Sequence, residues 1–375
     1  MKLLLIPNKF KGSLTSDEFS NAFISGVEKS GVSFSYSCIK LSDVGDNFLN
    51  VVAYYKPCIS MQVISTNPLG KRIQSYYLYS QQNNAAYIEL ANASGKQLLM
   101  KEDRNPMLTT TYGTGIQIKD AIEKGIEHIY MGLGGSATVD GGIGIANALG
   151  YVFLNEEREE LDAIGASLQL IDSIDDAAVS SNVRQVNFYA VNDISNPLFG
   201  ENGTSYLYAG EKGASDVIIE DLDRGLINLD KIVSKQYSVQ NGKLPGAGAG
   251  GGTGFGLKSF FNADMLSGED FILELSRVKD VLALGDVDYI ITGECKIDGQ
   301  SLCGKLLQGI ISLGKKYNTP VIVICGKSEI SKDELERQGI FDVVEFHDEF
   351  RGSEYNMRHA AQLLIARTAD YFAKK

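Results

Sequence analysis

Nine charged residues stand in or beside polar, glycine-bearing segments of this 375-residue chain: Lys11, Asp43, Asp46, Asp140, Asp193, Lys212, Glu294, Asp298 and Lys305. Lysines and carboxylates in such surroundings suit phosphoryl transfer. That reaction needs a cationic clamp on the transferring group and a base or orienter for the attacking hydroxyl. Lys11, Lys212 and Lys305 fit the first role. Asp43, Asp140, Asp193 and Asp298 fit the second, or metal binding. Any one of them alone reads as an ordinary solvated loop charge; it is their grouping that argues for a site. Histidine offers little competition, because only His128, His347 and His359 occur and none lies in a glycine-rich or polar cluster.

The chain holds 40 glycines, and they cluster. One run is Gly132-Leu133-Gly134-Gly135-Ser136-Ala137-Thr138-Val139-Asp140-Gly141-Gly142; a second spans Pro245 to Gly256; shorter ones follow Asn196-Pro197 and Gly293. Such loops expose backbone N–H groups and let a phosphate approach closely, without needing net positive charge. A helix starting just after one would add about 0.3–1 kcal/mol for an anion. An acidic chain, formal net charge -12, can therefore still take a phosphorylated ligand. No Walker A motif exists, since Val321 occupies the position where Gly326-Lys327-Ser328 would require glycine. Gly132, Gly134 and Ala137 fit G-x-G-x-x-A after a strand, the dinucleotide fingerprint, which keeps an NAD-dependent oxidoreductase as an alternative. Gly141, Gly142 and Gly144 nevertheless crowd the place of its helix. Gly246, Gly248 and Gly251 also fit a G-x-G-x-x-G spacing, but Lys243-Leu244-Pro245 is no strand.

These loops need strands to carry them. Residues 3–6, 35–41, 128–131, 288–292, 320–325 and 342–346 read as short strands, with the loop from Gly293 to Lys305 following Thr292. Thr15 and Glu18 stand as a capping box ahead of Phe19, Ala22, Phe23 and Val27, so a helix follows the first strand. Between 61 and 92, runs broken by Asn67-Pro68-Leu69-Gly70 and Gln82-Asn83-Asn84 suit hairpins. The length favours two domains with a cleft between them. We expect an α/β fold: a discontinuous Rossmann-like domain with an open parallel sheet from residues 1–60 and 263–375, a second α/β domain inserted at 61–262, and the active site in the interdomain cleft.

Composition excludes several classes. The acidic balance argues against binding nucleic acid through its phosphates. No apolar run reaches the roughly 20 residues that span a bilayer, and Leu3-Leu4-Leu5-Ile6 before Pro7 is too short for a signal-peptide core. Five cysteines without a C-x-x-C pair suit a reduced, cytoplasmic protein.

Taken in order, the motifs resemble those of the bacterial glycerate kinases that lack a P-loop, and the resemblance runs from Lys2 to about Ala373. Pro7-Asn8-Lys9-Phe10-Lys11-Gly12-Ser13-Leu14 looks like the family's P-D-S-F-K-G-S-L, and Gly132 to Gly142 is similar to its G-L-G-G-S-A-T-N-D-G-G. Asp193-Ile194-Ser195-Asn196-Pro197-Leu198 with Gly200, Lys212-Gly213-Ala214, Pro245-Gly246-Ala247-Gly248-Ala249 and Ile291 to Lys305 resemble four further motifs. The resemblance implies ATP-dependent phosphorylation of D-glycerate with a divalent metal, usually magnesium, giving 2- or 3-phosphoglycerate. It also implies site roles. Lys11, Asp43, Asp140 and Asp193 would be catalytic, with Asp43, Asp140 and Asp193 as metal candidates. Ser13, Asp46, Asp298 and Lys305 would bind substrate. Gly134, Gly135, Ser136, Lys212, Gly246, Gly248 and Gly251 would receive the nucleotide phosphates. The expected partner is the small acid, with a homodimer as the assembly to test and no nucleic acid or membrane.

The sequence departs from the family in one loop above all. D-G-G-E-G-T becomes Asp43-Val44-Gly45-Asp46-Asn47-Phe48 here, and a β-branched Val44 does not readily take a positive φ. Asn8 also replaces a carboxylate, Val139 an asparagine and Cys295 a glycine. A kinase for another small hydroxy acid, or a binding protein on the kinase fold, are the alternatives these changes raise.

Overall fold

The computed structural model describes residues 1–8, 10, 12–39, 44–298 and 305–375, with backbone alone at 44–46 and 305. Two compact units divide the chain: Met1–Ser42 with Glu269–Lys375, and Asp43–Gly268.

The first unit is built on a five-stranded parallel sheet in the order Asp342–Glu345, Val321–Ser328, Tyr289–Ile297, Lys2–Ile6, Ser35–Cys38. Leu3, Leu4, Leu5 and Ile6 are fully buried, as are Ile290, Ile291 and Ile322 to Ile324. Continuous apolar runs of this kind belong to strands covered on both faces. The helix Ser16–Lys29 starts at the expected capping box: Glu18 N donates to Thr15 Oγ1 while Glu18 Oε2 accepts from Thr15 N at 2.8 Å. It packs on the terminal helix Ala360–Phe372, closely enough that a Cβ at Gly26 would lie 2.6 Å from Thr368 Cβ. The strand from Tyr289 does not end at Thr292. It runs on to Ile297 because Gly293, Glu294, Lys296 and Ile297 keep pairing with Ile324, Cys325, Lys327 and Ser328. The segment read as a loop from Gly293 is therefore strand for its first five residues, and 299–304 lie outside the described residues.

The second unit holds a six-stranded mixed sheet in the order Asp264–Ser267, Asn187–Asn192, His128–Gly132, Ala85–Glu89, Arg72–Ser80, Ile59–Thr66. The last two pairings are the antiparallel hairpins expected around Asn67–Gly70 and Gln82–Asn84; the other three are parallel. Its core gathers Ile88, Ile118, Ile129, Met131, Val139, Ile143, Phe153, Phe255 and Leu226, among others. The helix Val44–Tyr55 belongs with this unit, as does the strand Asp264–Ser267, although the sequence reading puts domain limits at 60 and 262. Two contacts explain it. Phe48 is fully buried against Gly132, where a Cβ would meet its ring at 2.5 Å, and Asp264–Ser267 pairs with residues 189–192. Among the described residues, no helix is long and apolar enough to cross a membrane.

Candidate active site

The four parallel strands of the second unit end along one sheet edge, and their trailing loops carry most of the residues singled out above. The loop after His128–Gly132 is tied down from below. Lys96 N donates to Gly135 O at 3.0 Å, Ala137 N to Ser94 O at 2.8 Å, and Thr109 Oγ1 to Ala137 O at 3.1 Å. Lys212 reaches in from another segment. Its Nζ donates to Ser136 Oγ at 2.9 Å and to Thr138 O at 2.8 Å, with 3% of the residue exposed. Burial, reinforced by the nearby charge of Lys96 and opposed by Glu211 and Asp140, lowers the Lys212 pKa to about 7. The ammonium read as a phosphate clamp thus holds the loop itself.

Asp140 closes the far end of the same loop and is wholly buried. Its Oδ2 accepts from Thr111 N and Thr111 Oγ1, both at 2.7 Å, and from Gly144 N at 3.3 Å; Oδ1 accepts from Gly142 N at 3.1 Å. Burial raises its pKa, and these four donors oppose the rise. Three of the four donors converge on Oδ2, and Oδ1 takes the fourth. Through these bonds Asp140 anchors the loop to the segment at Thr111. It sets the turn through which the chain enters the six-residue helix Ile143–Ala148. That helix begins only after Gly142, ten residues beyond the strand, so the dinucleotide fingerprint lacks the strand–turn–helix geometry it requires.

Between these anchors, the N–H groups of Gly134, Gly135 and Ser136 find no acceptor among the described residues. Successive unpaired amides in a glycine loop are suited to an anion.

The run from Pro245 to Gly256 has a different use. Gly250, Gly251 and Gly252 are consecutive left-handed residues, with φ of 63°, 72° and 87°. A Cβ at Gly251 would lie 1.8 Å from Thr138 O, and one at Gly248 would lie 2.4 Å from Pro197 O. Gly141 N donates to Gly251 O at 3.1 Å, and Gly248 N to Asn196 O at 3.0 Å. Gly246, Gly248 and Gly251 are all buried, so the expected phosphate contact gives way here to packing of one glycine loop against another.

Asp193 is exposed directly after the strand Asn187–Asn192, and its Oδ1 accepts from Gly268 N at 3.1 Å. In the first unit, Asn8 Nδ2 donates to Glu294 Oε1 at 3.1 Å, while Ser13 is half-buried in the turn closed by its N–H on Phe10 O. Asp298 and Glu329 both pair with Lys296, at 3.5 and 2.8 Å. Lys305 opens the helix Lys305–Tyr317, and the side chains of Lys305 and Asp46 lie outside the described residues, as do Lys11 and Asp43 entirely. No group of three metal-binding side chains gathers among the described residues.

Three residues here escape sequence reasoning: Thr111, Lys96 and Arg104. Lys96 Nζ pairs with Glu211 Oε1 at 2.9 Å, and Arg104 Nη2 donates to Lys96 O at 3.3 Å. None of the three stands in a glycine run; the pairing of residues 94–96 with 135–137 brings Lys96 and Arg104 to the loop, and the bonds to Asp140 bring Thr111.

The glycerate kinase family matches residues 3–374. The chain is 32% identical over 376 residues to the glycerate 2-kinase of Escherichia coli K12, covering 98% of both chains. It is 36% identical over 328 residues to the glycerate kinase of Haemophilus influenzae, covering 87% of this chain and 86% of that one. A crystal structure of a protein assigned as glycerate kinase 2 in Salmonella typhimurium LT2 is similar with a TM-score of 0.76 at 30% identity, over 100% of this chain and 98% of the other. With its strand-end glycine loop in place and the match running nearly end to end, the chain belongs to the glycerate kinase family.

Proposed function

We propose that this protein transfers the γ-phosphoryl group of ATP to a hydroxyl of D-glycerate, releasing phosphoglycerate and ADP. The observation that carries the phosphate half of this reading is the row of unpaired amides at Gly134, Gly135 and Ser136, held rigid over buried Lys212. The acceptor half rests on family membership. In the transfer, the acceptor oxygen forms a bond to the γ-phosphorus, the bridging bond to the β-phosphate breaks, and the hydroxyl proton passes to a carboxylate. Asp193, exposed at the strand end, and Asp43 are the carboxylates we assign to that proton or to a metal. Asp140 is reassigned as a positioning residue. Lys11, Ser13, Asp46, Asp298 and Lys305 are assigned to the acid and its phosphate. A bound magnesium ion would supply charge neutralisation on the triphosphate. We also assign the enzyme to the cytoplasm, as a homodimer that light scattering would test.

The decisive test is ADP release with ATP, magnesium and D-glycerate, set against a panel of other small hydroxy acids. Turnover on D-glycerate is expected, and NMR of the product then locates the phosphate. Turnover on another acid alone would make the Asp43–Phe48 segment the specificity element. Nucleotide binding without turnover on any acid would favour a binding protein.

A further inference from the structure

Three cations converge on the loop of residues 132–142 from segments that do not belong to it. Lys96, Arg104 and Lys212 are linked into one group. Lys96 N holds Gly135 O, Arg104 Nη2 donates to Lys96 O, and Lys212 Nζ holds Ser136 Oγ and Thr138 O. Arg104 also backs Lys212 through the main chain, for a Cβ at Gly213 would lie 2.1 Å from Arg104 O. Against these three charges stand one paired carboxylate, Glu211, itself more than half exposed, and the enclosed Asp140. Arg104 Nε is buried with no hydrogen-bond partner among the described residues. An unsatisfied guanidinium donor costs free energy unless something occupies it. In a chain of net charge -12, an excess of cations beside unpaired amides is a local inversion of the protein's charge.

We propose that Lys96 and Arg104, with the amides of Gly134, Gly135 and Ser136, form the seat of the nucleotide's polyphosphate, and that Lys212 positions the loop from beneath. The inference rests on the kinase reading above and adds two residues to it. Lys96 is the partner that exchanges: its side chain is about a quarter exposed, and a phosphate oxygen replaces Glu211 on its ammonium. Arg104 supplies the planar donors that match phosphate geometry. Lys212 is too enclosed to leave Ser136 and Thr138, so it holds the loop and does not itself reach the phosphates.

The test uses the full-length protein and fluorescent ATP, ADP and adenosine analogues, alongside steady-state kinetics. Lys96→Gln and Arg104→Gln should each raise Kd for ATP and ADP by tenfold or more, leave adenosine unchanged, and leave KM for glycerate within about twofold. Lys96→Arg should recover most of the affinity. Glu211→Gln should tighten ATP two- to fivefold, because it frees Lys96, whereas weakening by this variant would mean a purely structural ion pair and overturn the proposal. Unchanged ATP binding in both glutamine variants, or a loss confined to glycerate, would overturn it too. Thermal melts guard against unfolding, and Lys96→Gln alone decides if Arg104→Gln does not fold. Failure of the wild type to turn over glycerate would instead sink the kinase reading, while the Kd comparison would still judge the cluster.

Discussion

The two long glycine runs meet at one hydrogen bond, Gly141 to Gly251, yet they are held by opposite means. The loop of residues 132–142 is fixed by polar side chains: Thr109, Lys212 and Asp140 take up its backbone groups, Thr111 holds the Asp140 carboxylate, and three amides stay open. The run of 245–256 carries no charged side chain at all. It is fixed by conformation and contact, through three left-handed residues pressed against Thr138, Leu198 and Gly141. Glycine density alone therefore does not mark a phosphate site. What distinguishes the first loop is that polar groups, most of them from elsewhere in the chain, anchor it and leave its own amides for a ligand.

Four perturbations probe this difference, and the largest effect falls on the contact-locked run. Gly251→Ala should cost about 3–5 kcal/mol of unfolding free energy, combining a left-handed non-glycine residue with backbone overpacking. Denaturant titration would measure it, and a loss under 1 kcal/mol would break the contrast. Asp140→Asn comes next, at about 2–3 kcal/mol, since the amide keeps one acceptor oxygen but turns its NH2 toward at least one buried donor, and the charge-assisted bonds are lost. If this variant instead kept its melting temperature and lost only kcat, Asp140 would be a catalytic group and not an anchor.

Lys212→Met sharpens the comparison through pH. The folded-state pKa of Lys212, about 7, lies below the ordinary lysine value of 10.5, so the unfolded state binds the extra proton between those values. The cost of burying its charge is present in full below pH 7 and is relieved as pH rises toward 10.5. The wild type should therefore gain stability relative to Lys212→Met by up to about 1.4 kcal/mol per pH unit in that window. Parallel pH profiles would show that the lysine is not enclosed as described. The smallest effect is expected at Gly200, where φ is 86° but nothing lies within 4 Å of a built Cβ. Gly200→Ala should cost about 1 kcal/mol, isolating the conformational share of the Gly251 effect.

Much of the scaffold was legible because its signals are local. The Thr15–Glu18 cap, the apolar runs at 3–6 and 321–325 and the turns at 67–70 and 82–84 each declare themselves within a few residues. The strand through Gly293 was not, since only its ladder with residues 324–328 overrides a polar, glycine-bearing composition. Likewise, Phe48 reads as a lost hydroxyl until its burial against Gly132 is seen. Asp140 was found by motif, but its anchoring bonds to Thr111 were not, because they depend on a contact 29 residues away. Lys96 and Arg104 lack any local mark, and their proximity to the loop is a property of the fold alone.

Lys212 carries one more consequence. Burial holds its pKa at about 7, so near pH 8 most of its amine is deprotonated and nucleophilic. It is also among the least accessible. An acylating reagent in solution would therefore modify it only when the strand-end loop lets go, after the surface lysines have reacted. The rate of its labelling would report how often that part of the molecule opens, with its chemistry serving as a clock for local unfolding.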